Sequence, residues 1–206
     1  TFTTIENKKP VGICGSGIID LLAQMRLQGW IDISGALNPQ ASERIVWLED
    51  EQQYAAVYAL AEESESGQPL YFSQTDIGQY LETKAAAYTM VECLLETAGV
   101  DFADLSRLYL SGAFPAHSDL EAAITIGIFP DLPRERYCAI PNTSLEGAKI
   151  LLLDRTRLQE VRTLAETLYC VQFASIPDFL IRMQAAKFIP HTDMTRYPTI
   201  QKRLTK

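Results

Sequence analysis

Apolar residues recur along this chain with two different periods. Steps of three and four carry Ile77, Leu81, Ala85, Tyr88, Val91, Leu94 and Leu95 down one face of a helix. The stretch Ser73-Gln74-Thr75-Asp76 marks its start: Ser73 or Thr75 can cap the first free amides, and Asp76 suits the positive helix end. Gly99 marks its stop. The same reading gives helices from Ile18 to just before Gly29, and over 118–127, 145–153, 156–168 and 178–187. Short runs rich in β-branched and aromatic residues predict strands at Thr1–Ile5, Arg44–Leu48, Leu70–Phe72, Arg107–Ser111, Arg136–Ile140 and Tyr169–Ala174. Tyr54–Ala61 fits either a strand or an Ala-rich helix. From residue 100 onward strands and helices alternate, the order of an α/β layer with parallel pairing. Beyond Pro190 the chain turns polar, so residues 1–190 are expected to form the domain and 191–206 a loose polar tail.

Composition narrows what such a layer can do. With 206 residues, a sizeable core is available. Lys and Arg number 18 against 26 Asp and Glu, a net charge of −8, which excludes a general nucleic-acid surface. No apolar run reaches the roughly 20 residues of a membrane span. Thr1–Ile5 leads into polar residues rather than an apolar leader, so a cytoplasmic protein is expected. The chain opens without Met in what reads as mid-strand, and a piece of something longer is expected. Cys14, Cys93, Cys138 and Cys170 form no C-x-x-C pair, and His117 and His191 offer no metal-ligand spacing. No Ser-His-Asp or Cys-His set is present, so no catalytic nucleophile is assigned.

Two stretches carry candidate chemistry. Arg107–Ser111 runs into Gly112-Ala113-Phe114, then a polar turn from Pro115 to Asp119, then a helix. A strand that ends in a small-residue turn before a helix is where α/β proteins place ligands, and Gly112 lets a flat ligand approach the backbone. The plain alternative is a tight strand-to-helix turn and nothing more. The second stretch, Val11-Gly12-Ile13-Cys14-Gly15-Ser16-Gly17, feeds directly into a helix. Its free amides can meet an anion, or Ser16 can simply be the N-cap. The spacing matches neither a Walker loop nor the Rossmann fingerprint. Lys84 sits mid-helix among alanines, where a lone Lys ordinarily reaches out to water. His117 reads as a surface turn residue, Asp20 as first-turn polarity and Asp119 as a helix cap or first-turn acid.

With these pieces placed, the chain resembles the C-terminal part of the reductive activators of corrinoid proteins, in the actin–hexokinase–chaperone ATPase superfamily. The matching stretches are Gly12–Asp20, Gln74–Ile77, Ser111–Phe114, Ala123–Asp131 and Asn142–Lys149, in the family's order. The resemblance implies a central mixed sheet with flanking helices, the second lobe of an actin/hexokinase-like ATPase. It implies ATP or ADP with Mg as ligand, held by Gly112, Ala113 and Phe114 on the adenosine side, Lys84 over the nucleoside, and Gly15, Ser16 and Gly17 near the interlobe cleft. It further implies a two-iron iron–sulfur cluster in a preceding ferredoxin domain, outside this chain. The partner would be the corrinoid protein of a methyltransferase system, returned from cobalt(II) to cobalt(I), and a homodimer is compatible with it. Two positions depart from the family's pattern: Pro115 and Pro141 stand where glycine is usual. Each removes a donor and fixes φ. ATPase activity is therefore expected only of the longer parent protein. The rival reading is a non-catalytic module, with a degenerate nucleotide site, that docks a corrinoid protein or its own copy. A small-molecule kinase is weaker still, since no carboxylate stands out as a base for a substrate hydroxyl.

Overall fold

The computed structural model describes residues 3–112 and 118–205. A 24-residue helix, α2 (Gln74–Thr97), is the element on which everything else is built. At 1.5 Å per residue it is about 36 Å long, enough to pass through two separate apolar clusters. Ser73 caps it: its hydroxyl accepts the Asp76 amide, while the Asp76 carboxylate accepts the Ser73 amide.

The first cluster lies around the early turns of α2. Here α1 (Gly15–Leu27) buries Ile19, Leu22, Ala23 and Met25, and α3 (Leu120–Ile126) adds Ala123 and Ile126. Three antiparallel strands close this side: β1 (Ile45–Leu48), β2 (Gln53–Ala59) and β3 (Leu70–Ser73), in that order. Ile45, Ala56 and Phe72 stand opposite one another across the sheet and reach the same core. The 53–59 run is therefore strand, because its pairing on both sides outweighs its alanines.

The second cluster lies around the later turns of α2. Ala85 and Tyr88 meet Ile124, Ala186 of α6 (Phe179–Ala186), and Tyr197 and Ile200. The last two overturn the expected loose tail. Residues 198–204 form a helix, α7 (Pro198–Leu204), and both Tyr197 and Ile200 are fully buried. Asp131 fastens that helix from below, accepting both the amide and the hydroxyl of Thr199 while pairing with Arg134.

A second sheet is parallel and has two strands, β4 (Leu108–Ser111) and β5 (Tyr137–Ile140). It leads into α4 (Thr143–Leu153) and α5 (Leu158–Thr167). The α/β class holds, but among the described residues the strands divide into an antiparallel and a parallel sheet rather than one mixed sheet. None of the described residues in the strands predicted at Thr1–Ile5 and Tyr169–Ala174 pairs as a strand. Residues 5–7 form a 3-10 turn, and Phe173–Ser175 forms another inside the expected 169–174 strand. Neither stretch finds a neighbouring strand, and β-rich composition without pairing does not make a sheet.

Candidate functional site

The N-terminal ends of three helices and the carboxyl ends of the parallel strands carry the candidate residues. At α1 the N-cap position is Cys14, with no side-chain cap, and Ser16 lies inside the first turn. The alternative in which Ser16 caps the helix is therefore set aside. By contrast Asp119 caps α3 and Asn142 caps α4, each accepting an amide from the first turn. Among the described residues, no side-chain oxygen accepts from the first amides of α1, at Gly15, Ser16 and Gly17; only the Cys14 sulfur lies against those of Ser16 and Gly17. The positive potential there is felt by the exposed Cys14 thiol. The Ser16 hydroxyl, 3.3 Å away, and the Gly17 amide lower its pKa.

At the strand ends, Ser111 joins β4 to β5. Its hydroxyl lies 3.0 Å from the Pro141 carbonyl and 2.9 Å from the Thr143 hydroxyl, and it accepts the Thr143 amide at 3.2 Å. A hydroxyl has one hydrogen and two lone pairs, so all three contacts are satisfied if Ser111 donates to Pro141 and Thr143 donates to Ser111. Pro141 fits here because its carbonyl, and not the missing N–H, makes the contact. Gly112 follows with φ +103°, a conformation that a side chain would strain. Ala113, Phe114, Pro115 and His117, named from the sequence, lie outside the described residues.

Helices α1 and α3 lie side by side and run the same way. Asp20 lies in the second turn of α1 rather than the first, and burial, with the charge of Asp119 at the start of α3, raises its pKa. At their far ends Arg26 of α1 donates to the Ile189 carbonyl at 3.5 Å, and Gly127 after α3 lies against Pro190. Gly15–Gly17 and Asp119 therefore share one end of this helix pair.

Lys84 takes a place that neither reading of the sequence gave it. It is 3% exposed, so it does not reach water. Its ammonium donates to the carbonyls of Ala186 at 2.6 Å, Phe188 at 2.8 Å and Pro190 at 2.6 Å. Burial alone pushes its pKa down to about 7. The three carbonyls oppose that shift, because a neutral amine would bring two hydrogens to three acceptors. All three ammonium hydrogens are thus engaged inside the protein, and none is directed at Gly112.

A groove of about 980 Å³ lies elsewhere, between the end of α2, residues 99–104 and residues 195–198. It contains none of the predicted site residues. Its Glu92 and Glu96 are paired with Arg196 and Arg182, so it offers little free charge. Among the described residues no group of three or more His, Cys, Asp or Glu could hold a metal ion, and no helix is long and apolar enough to cross a membrane.

Comparison with known proteins agrees with this arrangement. Residues 1–201 match the family described as the C-terminal domain of RACo, the ASKHA domain, and the chain belongs to that family. Its fold is that of the actin-like ATPases. Among solved structures it is similar to a "reductive activator for corrinoid, iron-sulfur protein". The two share 33% identity and a TM-score of 0.87 over 97% of this chain and 32% of that one. It is also similar to the "corrinoid activation enzyme RamQ" of Eubacterium limosum, 26% identical over 186 residues, 87% of this chain and 31% of that protein. The chain thus spans about a third of the length of either relative.

Proposed function

We propose that this domain is the nucleotide-holding lobe of an ATP-dependent activator that returns a corrinoid protein from cobalt(II) to cobalt(I). The single observation that carries the reading is the uncapped start of α1. Gly15, Ser16 and Gly17 offer backbone amides to an anion there, while the neighbouring starts of α3 and α4 are closed by Asp119 and Asn142. Gly112, with Ala113 and Phe114 after it, would take the adenosine side. Magnesium would accompany the phosphates.

The role of the lobe is conformational. One electron must move onto cobalt, and in the family that electron comes from the two-iron cluster of a ferredoxin domain. Nucleotide states that favour different lobe arrangements would change how the corrinoid partner is held, and so make an uphill transfer possible. The names of both relatives support a corrinoid protein as partner.

A second reading has its own observation. Helices α4 and α5 bury no residue, and Leu152 and Leu153 are 78% and 89% exposed. That apolar surface favours a docking role, toward a corrinoid protein or a second copy of the chain.

Calorimetry with MgADP and MgATP separates the two. Binding that is lost in Gly112→Val supports the nucleotide lobe. No binding by this chain, nor by a Pro115→Gly/Pro141→Gly version, combined with capture of a purified corrinoid protein, supports the docking module instead.

A further inference from the structure

We propose that Lys84 is a positioning residue: its buried ammonium gathers the carbonyl end of α6 and residues 188–190 against the C-cap of α3, and so sets the orientation of the α1–α3 pair, whose opposite end meets the nucleotide. The proposal rests on the nucleotide reading above, and names how that site is held in place.

After α6 the chain turns at Lys187, which is still in helical conformation, and bends through residues 188–190. On one side, the carbonyls of residues 186, 188 and 190 all turn to the Lys84 ammonium. In between, Ile189 donates its amide to the Ile33 carbonyl at 2.8 Å, and its own carbonyl accepts Arg26. The segment is therefore pinned on both sides, by α2 and by α1 with the loop after it.

No carboxylate pairs with Lys84 in any ion pair among the described residues, which is unusual for a buried charge. Backbone carbonyls take the place of a counter-ion. Ala186 is the last residue of α6, and Gly127, the C-cap of α3, is so close that a Cβ there would lie 2.9 Å from the ammonium. Arg26, in the last turn of α1, stands at the same junction. Lys84 thus meets the carbonyl end of α6 beside the C-cap of α3, and Arg26 ties the last turn of α1 to the same segment through Ile189. The positive ends of α1 and α3 lie at the far side, where Gly15–Gly17 are open and Asp119 faces Asp20. Helix α3 is short and its residues 123–126 are fully buried, so it shifts as a rod.

The test uses MgADP affinity by calorimetry together with amide hydrogen exchange. Lys84→Met and the milder Lys84→Gln, which keeps a donor and gives a second chance of a folded protein, are compared with Gly127→Ala. Ile200→Ala serves as a control that weakens the second cluster, which Ile124 and Ala186 share, without removing any bond of Lys84. The expected result is faster exchange across residues 120–127 in both Lys84 variants. Affinity is expected to fall tenfold or more in Lys84→Met and Gly127→Ala, with no further loss in the double variant. Ile200→Ala should bind as the parent does. Unchanged exchange in 120–127 overturns the proposal. So does an affinity loss in Lys84→Met with none in Gly127→Ala, which would make Lys84 a direct contact. An equal loss in Ile200→Ala would mean general destabilisation and would overturn it too. If the parent chain binds no MgADP, the nucleotide reading fails, and the exchange data still decide whether Lys84 holds α3.

Discussion

Replacing Gly127 by Ala tests the packing at the end of α3 most sharply. Gly127 has φ +80°, and an L-residue there costs roughly 1–2 kcal/mol. That cost alone would be modest. The new Cβ, however, would sit 2.2 Å from the Pro190 carbonyl oxygen and 2.8 Å from its carbon, both backbone atoms with no free rotation. Displacing them loosens the bond from Lys84 to Pro190, and overpacking of this kind costs about 1–3 kcal/mol. The sum is about 2–5 kcal/mol. Gly29 is the natural control, because it also has positive φ, +72°, yet a Cβ there meets nothing within 4 Å. Gly29→Ala should lose only the conformational part, about 1 kcal/mol. In urea, with a slope of about 2 kcal/mol/M, the midpoint should fall by about 0.5 M for Gly29→Ala and by about 1–2.5 M for Gly127→Ala. Equal shifts in the two variants would refute the claim that α3 and residues 186–190 are in fixed contact.

Two further outcomes follow from single residues. His191 is buried, its Nδ1 accepts the Asp193 amide at 3.0 Å, and burial with the nearby charges of Arg196 and Lys84 lowers its pKa from 6.5 to about 4. The unfolded chain then binds the extra proton first, so stability should fall as the pH drops from 6.5 toward 4, by about 3 kcal/mol. His191→Asn, measured by urea titration at each pH, should flatten that slope; an unchanged slope would assign it to other groups. Ser73→Ala removes one half of the reciprocal cap on α2 and should cost about 1 kcal/mol, read as a lower melting temperature, whereas Thr75→Ala should cost less because Thr75 bonds only to Gln53.

Lys84 illustrates what the sequence could and could not disclose. Ile77, Leu81, Ala85 and Tyr88 define a stripe, and position 84 falls within it, three residues after Leu81. The period alone therefore puts Lys84 on the buried face, yet charge argues for water, and a preference for the general rule hides the exception. What satisfies the ammonium is backbone from residues 186–190, and a carbonyl has no signature in a sequence. The same holds at Tyr197 and Ile200. Surrounded by Thr, Asp, Arg, Gln and Lys, they read as strays in a polar tail, and only the folded chain puts them in one cluster with Tyr88 and Ile124. Caps were legible where a short polar side chain precedes an apolar run, as at Ser73 and Asp119. The open start of α1 was half legible: its glycines were visible, but Ser16 imitated a cap. Gly112 was legible as a turn glycine, since its positive φ is the kind that residue type serves. The strand expected at 169–174 failed for the opposite reason to Lys84, because composition suited a sheet and no partner strand was there.

The burial of Tyr197 and Ile200 also decides how the domain can be handled. A boundary drawn after Pro190, where composition changes, would remove Tyr197 and Ile200 from the second cluster and strip Thr199 from the fully buried Asp131 side chain. Recombinant versions shortened to that point should be poorly soluble and readily degraded, whereas a fusion partner added after Lys206 leaves the cluster whole. Protease trimming offers a direct gauge: in the intact protein, the peptide bonds on either side of Tyr197 should be among the last to be cut.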